Sequence, residues 1–266
     1  MSTSRPEQAG AALRGVLAQK SALVVGAGGL GCPALLALVR AGVGRVAIAD
    51  DDRVEETNLH RQILYTDADV GRDKLDAALG TLGAEAAPAQ RLEAIRTRLL
   101  PENARRLVRD FDVVLEGADN FATKFLCADA CRLEERPVVH GAAVRFRATV
   151  WSVAALGRPC YRCLFEDLPP ADAGLTCAEA GVLGPVVGLA GALMADLALD
   201  VLAGSPRTGL LYAYDGLRDA LREVSVTPRP DCALCGERPT ISRLEELCYI
   251  APDCAAGAPD PEGIHP

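Results

Sequence analysis

Long apolar runs are missing from this 266-residue chain: none reaches the ~18 uninterrupted apolar residues of a membrane span. Its first residues, Met1-Ser-Thr-Ser-Arg-Pro-Glu-Gln, lack the apolar core of a signal peptide. A cytoplasmic protein with no membrane partner is therefore the expectation. Positive charge is outnumbered, 28 Lys and Arg against 36 Asp and Glu, and a net charge of −8 argues against a nucleic-acid partner, since neutralising phosphates takes clustered cations. Histidine is scarce as well. There are three, and only His60 and His140 lie in the patterned part of the chain, which leaves few candidates for the polarising group of a hydride-transfer site.

Cysteine, by contrast, is plentiful at ten. In a reducing compartment thiolates serve more often as metal ligands or nucleophiles than as disulfides. Four of them form two C-x-x-C pairs, Cys160-Tyr-Arg-Cys163 and Cys232-Ala-Leu-Cys235, each preceded by a proline-containing turn, Arg158-Pro159 and Pro228-Arg-Pro-Asp. Each pair sets two sulfurs on one side of a tight turn, and two pairs make the tetrahedral set that Zn²⁺ accepts. No His, carboxylate or open position accompanies them, so the expected zinc is structural. A redox C-x-x-C, or buried thiols that happen to sit three apart, are the competing readings. Cys32, Cys127 and Cys131 lie in apolar helical contexts and read as core, leaving Cys177, Cys248 and Cys254 without a role.

Patterning predicts a strand over Ser21–Gly26, a helix from Leu30 to Gly42 and a strand over Arg45–Asp50, a parallel βαβ unit. A polar stretch from Asp51 to Asp69 precedes a helix starting near Gly71–Lys74. Phe111–Glu116 and Pro137–Gly141 read as buried parallel strands flanking a helix from Phe121 to Glu135. Beyond Gly141 the alternation over Val144–Val153 and the runs Leu210–Asp215 and Ala220–Val226 suit antiparallel strands, with an Ala- and Leu-rich helix over Pro185–Leu202 between them. The fold class expected is α/β: a Rossmann-like, doubly wound, mostly parallel sheet extended by antiparallel strands, with a four-cysteine zinc knuckle. Residues 1–20 are expected as an N-terminal helix or arm, 21–142 as the Rossmann-like half, 143–250 as the antiparallel half with the zinc site, and 251–266 as a disordered tail.

Gly26, Gly28 and Gly31 spell G-x-G-x-x-G between strand and helix, with Asp50, Asp51 and Asp52 roughly 20 residues on. Taken alone, this favours NAD, the first acid accepting hydrogen bonds from the ribose hydroxyls. The next residues favour ATP: Asn58, Arg61, Gln62 and Lys74 offer polar and cationic groups for a leaving pyrophosphate, and Asp119-Asn120 follows a parallel strand with a carboxylate suited to Mg²⁺. Each also has an ordinary reading. Arg61 and Lys74 suit a solvated surface, Asp119 and Asn120 a helix N-cap, and Asn58 a loop residue bonding its own backbone.

The series Gly26 to Gly31, Asp50-x-Asp52-x-Val54, Asn58-Leu-x-Arg61-Gln62, Val70-Gly71, Lys74, Asp119-Asn120, Gly141-Ala-Ala, Cys160-Tyr-Arg-Cys163-Leu, Thr176-Cys177-x-Glu-Ala-Gly-Val and Cys232-x-x-Cys235-Gly resembles the ThiF/MoeB/HesA family, bacterial relatives of the ubiquitin-activating enzymes. The resemblance spans about residues 15 to 250. It implies a homodimeric adenylyltransferase that uses MgATP to adenylate the C-terminal Gly-Gly carboxylate of a small ubiquitin-fold sulfur carrier. Residues 21–142 would then bind ATP and residues 143–250 the carrier. By the same resemblance Asp50 would hold the ribose, Gly28 and Gly29 would pass close to the nucleotide, Asn58, Arg61 and Lys74 would contact the triphosphate, and Asp119 would bind Mg²⁺. Cys177 occupies the position where some members form a covalent intermediate. Two departures stand out: no Arg-Tyr-x-Arg-Gln segment opens the chain, and no rhodanese-like domain follows the second knuckle, so a separate sulfur donor is expected. An NAD-dependent oxidoreductase and a non-catalytic nucleotide- or carrier-binding scaffold are the alternatives. The pathway served, whether molybdopterin, thiamin, cysteine or a thio-natural product, is not specified by these residues.

Overall fold

Runs of Val, Leu, Ile and Ala that are buried on both faces can only be central strands of a covered sheet, and β1 (Ser21–Val25), β2 (Arg45–Asp50) and β4 (Val113–Glu116) are such runs. The computed structural model describes residues 4–169 and 180–250; Cys177, Cys254 and the expected tail lie outside them. One eight-stranded sheet runs in the order β3-β2-β1-β4-β5-β6-β7-β8. The first five strands are parallel, with β3 (Arg91–Arg96) at the edge, and β5 (Val138–Val144), β6 (Arg147–Val153), β7 (Leu210–Asp215) and β8 (Ala220–Ser225) pair antiparallel. The sheet passes without a break from the parallel half into the antiparallel half.

Helices cover both faces. α1 (Ser4–Leu17), α2 (Gly31–Ala41), α3 (Lys74–Glu85) and a long helix over Gly184–Leu202 meet a core built on Val24, Ile48, Leu115 and Val139. α4 (Pro101–Arg109) and α5 (Phe121–Leu133) cover the opposite face around Leu23, Val114, Phe125 and Trp151. The short α6 (Tyr161–Leu164) carries the first cysteine pair, which makes the Gly184–Leu202 helix α7. By length and mean hydropathy (1.7) α7 could cross a bilayer. Half of that stretch is buried, and α7 packs on α2, β4, β5 and β6, as the apolar core helix of a globular domain does.

Residues 91–109 carry no expected element, yet form β3 and α4. β3, Arg-Leu-Glu-Ala-Ile-Arg, is an edge strand partly exposed on both faces, so its apolar positions are too few to stand out. Elsewhere boundaries shift by a few residues: β5 runs on to Val144, so the alternation that begins there belongs to both arms of the β5–β6 hairpin.

Candidate active site

Adjacent parallel strands whose connections leave in opposite directions open a crevice at their carboxyl ends, and β1 and β4 are that pair. β1 leads into Gly26, at φ +93°, a backbone region that favours glycine. β4 leads into Gly117, whose carbonyl carbon would lie 3.4 Å from a side chain at Gly26. Gly31 has the tightest constraint: a Cβ there would stand 1.9 Å from the Gly26 carbonyl oxygen, so only glycine lets α2 start this close to the strand. The resulting cleft has a volume of about 810 Å³ and is lined by the glycine turn, Asp50 to Arg53, Asn58, Arg61, Gln62, Lys74 and Gly117 to Asn120.

Asp50 closes the end of β2. One carboxylate oxygen accepts the Ala27 N–H at 2.7 Å and the other the Asp52 N–H at 2.9 Å, which fixes the side chain beside the turn. Lys74, in the first turn of α3, is buried, and its ammonium donates to Asp52 at 2.9 Å and lies 4.0 Å from Asp50. Arg61 follows the Glu56–Asn58 turn. Its one side-chain hydrogen bond among the described residues is to His60 Nε2 at 3.4 Å, and no carboxylate offsets its charge there. Gln62 is buried, and its Oε1 has no partner among the described residues. Asn58 donates to Glu55 Oε2 at 3.0 Å. Asp119 is exposed at the mouth, whereas Asn120 caps α5, its side chain accepting the Thr123 N–H at 2.9 Å.

Two features of the cleft escape sequence reading. Arg98, on the unread β3–α4 connection, lines the cavity and holds both Asp51 carboxylate oxygens at 2.8 Å. Beneath the Gly117–Asn120 loop, Glu116 is fully buried and accepts two hydrogen bonds from Lys124 Nζ, each 3.1 Å, one from the Ala118 N–H at 2.7 Å, and a contact from His140 Nδ1 at 3.1 Å. Lys124 also donates to the Gly141 carbonyl at 2.6 Å. Burial alone would raise the Glu116 carboxyl, but Lys124 and His140 outweigh it and hold it below the usual carboxylate range. Burial lowers the His140 imidazole against the pull of Glu116, so it is neutral, with Nδ1–H donating to the carboxylate. A lysine eight positions after Glu116, across the loop and on the next helix, is the only trace of this cluster in the sequence.

The four cysteines of the two pairs converge in a separate buried cluster, all sulfurs within 4.8 Å of one another. Separations of 3.9 Å (Cys160–Cys163), 3.5 Å (Cys160–Cys232) and 3.3 Å (Cys163–Cys235) bracket the ~3.8 Å edge of a tetrahedron with ~2.3 Å Zn–S bonds. Burial pushes the Cys160 thiol well up and Cys235 up to about 12, whereas at Cys232 burial is outweighed by the Cys235 and Leu234 backbone N–H groups, which lower the thiol; Cys160 and Cys235 at least need a compensating cation to become thiolates. The donor set fits Zn²⁺. Cys32, Cys127 and Cys131 are core residues, and Cys248 is exposed.

Comparison with known proteins agrees with this architecture. The ThiF family matches residues 4–234. A Thermus thermophilus protein named Sulfur carrier protein adenylyltransferase is 45% identical over 244 residues, covering 88% of this chain and 90% of that protein. Adenylyltransferase and sulfurtransferase MOCS3 of Anopheles gambiae is 41% identical over 87% of this chain, which spans about half (54%) of that relative's length. Among solved structures, E. coli MccB with MccA-N7isoASN superposes with a TM-score of 0.76 at 18% identity, covering 89% of this chain and 76% of that one. E. coli MccB with ATP gives 0.72 at 20%, covering 84% and 69%. At such identities these likenesses concern the fold. The match over 4–234 and the 45% identity to a relative covered nearly end to end make this chain a member of the ThiF family.

Proposed function

We propose that the protein uses ATP to adenylate the C-terminal glycine carboxylate of a small ubiquitin-fold sulfur carrier ending in Gly-Gly, releasing pyrophosphate. The observation that carries this reading is the cleft itself: the glycine turn, a buried Lys74, an Arg61 with no offsetting carboxylate among the described residues, and the orphaned Gln62 Oε1 line one cavity. A site that gathers cations suits a polyphosphate better than an apolar ring, and the unpaired Gln62 acceptor suits a donor such as a nucleotide's hydroxyl or amino group. The name of the Thermus relative supports the choice of a sulfur carrier.

In the reaction a carrier carboxylate oxygen forms a bond to the α-phosphorus of ATP. The bond from that phosphorus to the bridging oxygen breaks, and the electron pair leaves with pyrophosphate. Arg61 and Lys74 offset the charge that gathers on the leaving group, and Asp50 holds the ribose beside the turn. Lys74 is balanced by Asp52 and Asp50 in the nucleotide-free cleft, so a triphosphate would compete with those acids for it. Asp119, an exposed carboxylate with no side-chain partner among the described residues, has the oxygen chemistry to hold Mg²⁺, which would lower the charge on the triphosphate. The four-cysteine cluster would hold a structural Zn²⁺. Leu13 and Val16 leave an exposed apolar face on α1, which suits the homodimer expected of this chain.

ATP–pyrophosphate exchange in the presence of a Gly-Gly-ended ubiquitin-fold carrier is the test. Exchange that depends on the carrier's final carboxylate is expected, and Arg61→Ala should reduce it about 10²–10³-fold, the usual effect of losing one charge-stabilising donor, without altering the circular dichroism spectrum. No exchange with any such carrier would refute the function; near-normal exchange in Arg61→Ala would remove that residue from it.

A further inference from the structure

One wall of the cleft comes from outside the parallel half. After the second cysteine pair the chain runs to a 3₁₀ turn over Glu246–Tyr249 on the face covered by α4 and α5; Glu246, Tyr249 and Ile250 line the same cavity as the glycine turn. Tyr249 is 8% exposed and lies in one apolar cluster with Leu99 and Leu126, which also line the cleft. A returning segment with so few apolar anchors needs something else to fix it.

A buried polar chain does so. The Tyr249 hydroxyl donates to Asp129 Oδ2 at 2.9 Å, and Asp129, on α5, is fully buried. Arg162 grips the same carboxylate from the other side, Nε to Oδ1 and Nη2 to Oδ2, both at 2.9 Å. Arg162 is itself only 3% exposed and stands between Cys160 and Cys163 in the first pair. Its guanidinium also lies over the Phe125 ring at 4.8 Å, so it cannot move without disturbing α5. The cysteine cluster is therefore joined to the cleft wall twice. The covalent route runs from Cys235 along the chain to Tyr249, and the other runs from Arg162 through Asp129 to the Tyr249 hydroxyl. Removing one partner of a buried charged pair leaves an uncompensated charge, so the three side chains hold or loosen together.

We propose that Tyr249 is a positioning residue through which the four-cysteine metal site and the nucleotide cleft act as one coupled unit, metal holding the wall in place and nucleotide, by closing on that wall, tightening the metal. This rests on the nucleotide reading of the cleft. Coupling of binding free energies is reciprocal: whatever factor zinc contributes to ATP affinity, ATP returns to zinc affinity. A purely structural role for Tyr249 would lower stability without linking the two ligands.

Two measurements on the full zinc-loaded chain decide it: ATP affinity by calorimetry with Mg²⁺ present, and zinc affinity by competition with a buffered chelator, with and without saturating MgATP. MgATP should raise the zinc affinity of the wild type about fivefold, the scale of one net hydrogen bond. Tyr249→Phe keeps the ring against Leu99 and Leu126 and the covalent route but loses the hydroxyl; it should bind ATP about fivefold more weakly, and its zinc affinity should respond to MgATP less than that of the wild type. Wild-type zinc affinity that ignores MgATP overturns the inference without any variant, as does equal ATP affinity in wild type and Tyr249→Phe. A wild type that binds no ATP overturns the nucleotide reading itself, a result visible in the first measurement alone.

Discussion

Lys124→Met tests the electrostatics beneath the cleft most directly. The substitution keeps the length of the side chain and removes its charge from a site where the Lys124 and Glu116 side chains are 7% and 0% exposed. Glu116 would keep the Ala118 N–H and His140 Nδ1 but lose both ammonium bonds, and the Gly141 carbonyl would lose its 2.6 Å donor. Breaking a buried ion pair by removing one partner costs about 3–5 kcal/mol, a large share of the roughly 5–15 kcal/mol that holds a typical domain folded. The pair removed together behaves differently: in Glu116→Gln/Lys124→Met no charge is stranded, the Gln carbonyl still accepts from Ala118, and a residual loss of about 1–2 kcal/mol is expected. Urea unfolding, followed by far-UV circular dichroism, gives both values. A single variant that loses less than about 1 kcal/mol, or a double variant no more stable than the single, would refute the buried-pair account. Because Glu116 also orients the loop that carries Asp119, pyrophosphate exchange should fall in the single variant at temperatures where it stays folded.

Two further outcomes follow from the same geometry. Gly31→Ala sets a methyl 1.9 Å from the Gly26 carbonyl oxygen, so the β1–α2 turn must open; melting temperature and ATP affinity should both drop, with a stability loss of at least about 1–3 kcal/mol, and unchanged values of both would contradict the close approach. His140 has its pKa lowered on folding, so the unfolded chain takes up the proton first and stability falls as pH drops below about 6.5; Glu116, also lowered, adds a second loss below the ordinary carboxylate range. His140→Gln, whose amide still donates to Glu116, should flatten the melting-temperature profile just below pH 6.5 and leave the steeper acid limb, a difference that calorimetry across pH will show or deny.

Local chemistry made much of this protein legible from sequence. The glycine turn, β1, α2 and β2 could be read because a short buried β-branched run, a G-x-G-x-x-G and an apolar helix each leave their own period in the chain, and the knuckles could be read because metal ligands demand fixed spacing. Lys74 and Arg61 were visible as candidates but not as partners. Their sequence neighbours said nothing of Asp52 holding one while the other has no offsetting carboxylate among the described residues.

Other features were decided only when the chain folded. β3, partly exposed at the sheet edge, lacks a pattern strong enough to be read, and Arg98 was hidden with it. The Glu116–Lys124–His140 cluster, and the line from Arg162 through Asp129 to Tyr249, join residues from different elements, the latter pair 120 positions apart. The physical reason is burial. A sequence shows which side chains carry charge, but the free energy of that charge depends on what surrounds it once water is gone, and that depends on which strands become neighbours. Sequence alone determined the fold class and the chemistry brought to the cleft; tertiary structure determined which of those groups are paired, which have no offsetting partner among the described residues, and which distant segment closes the wall.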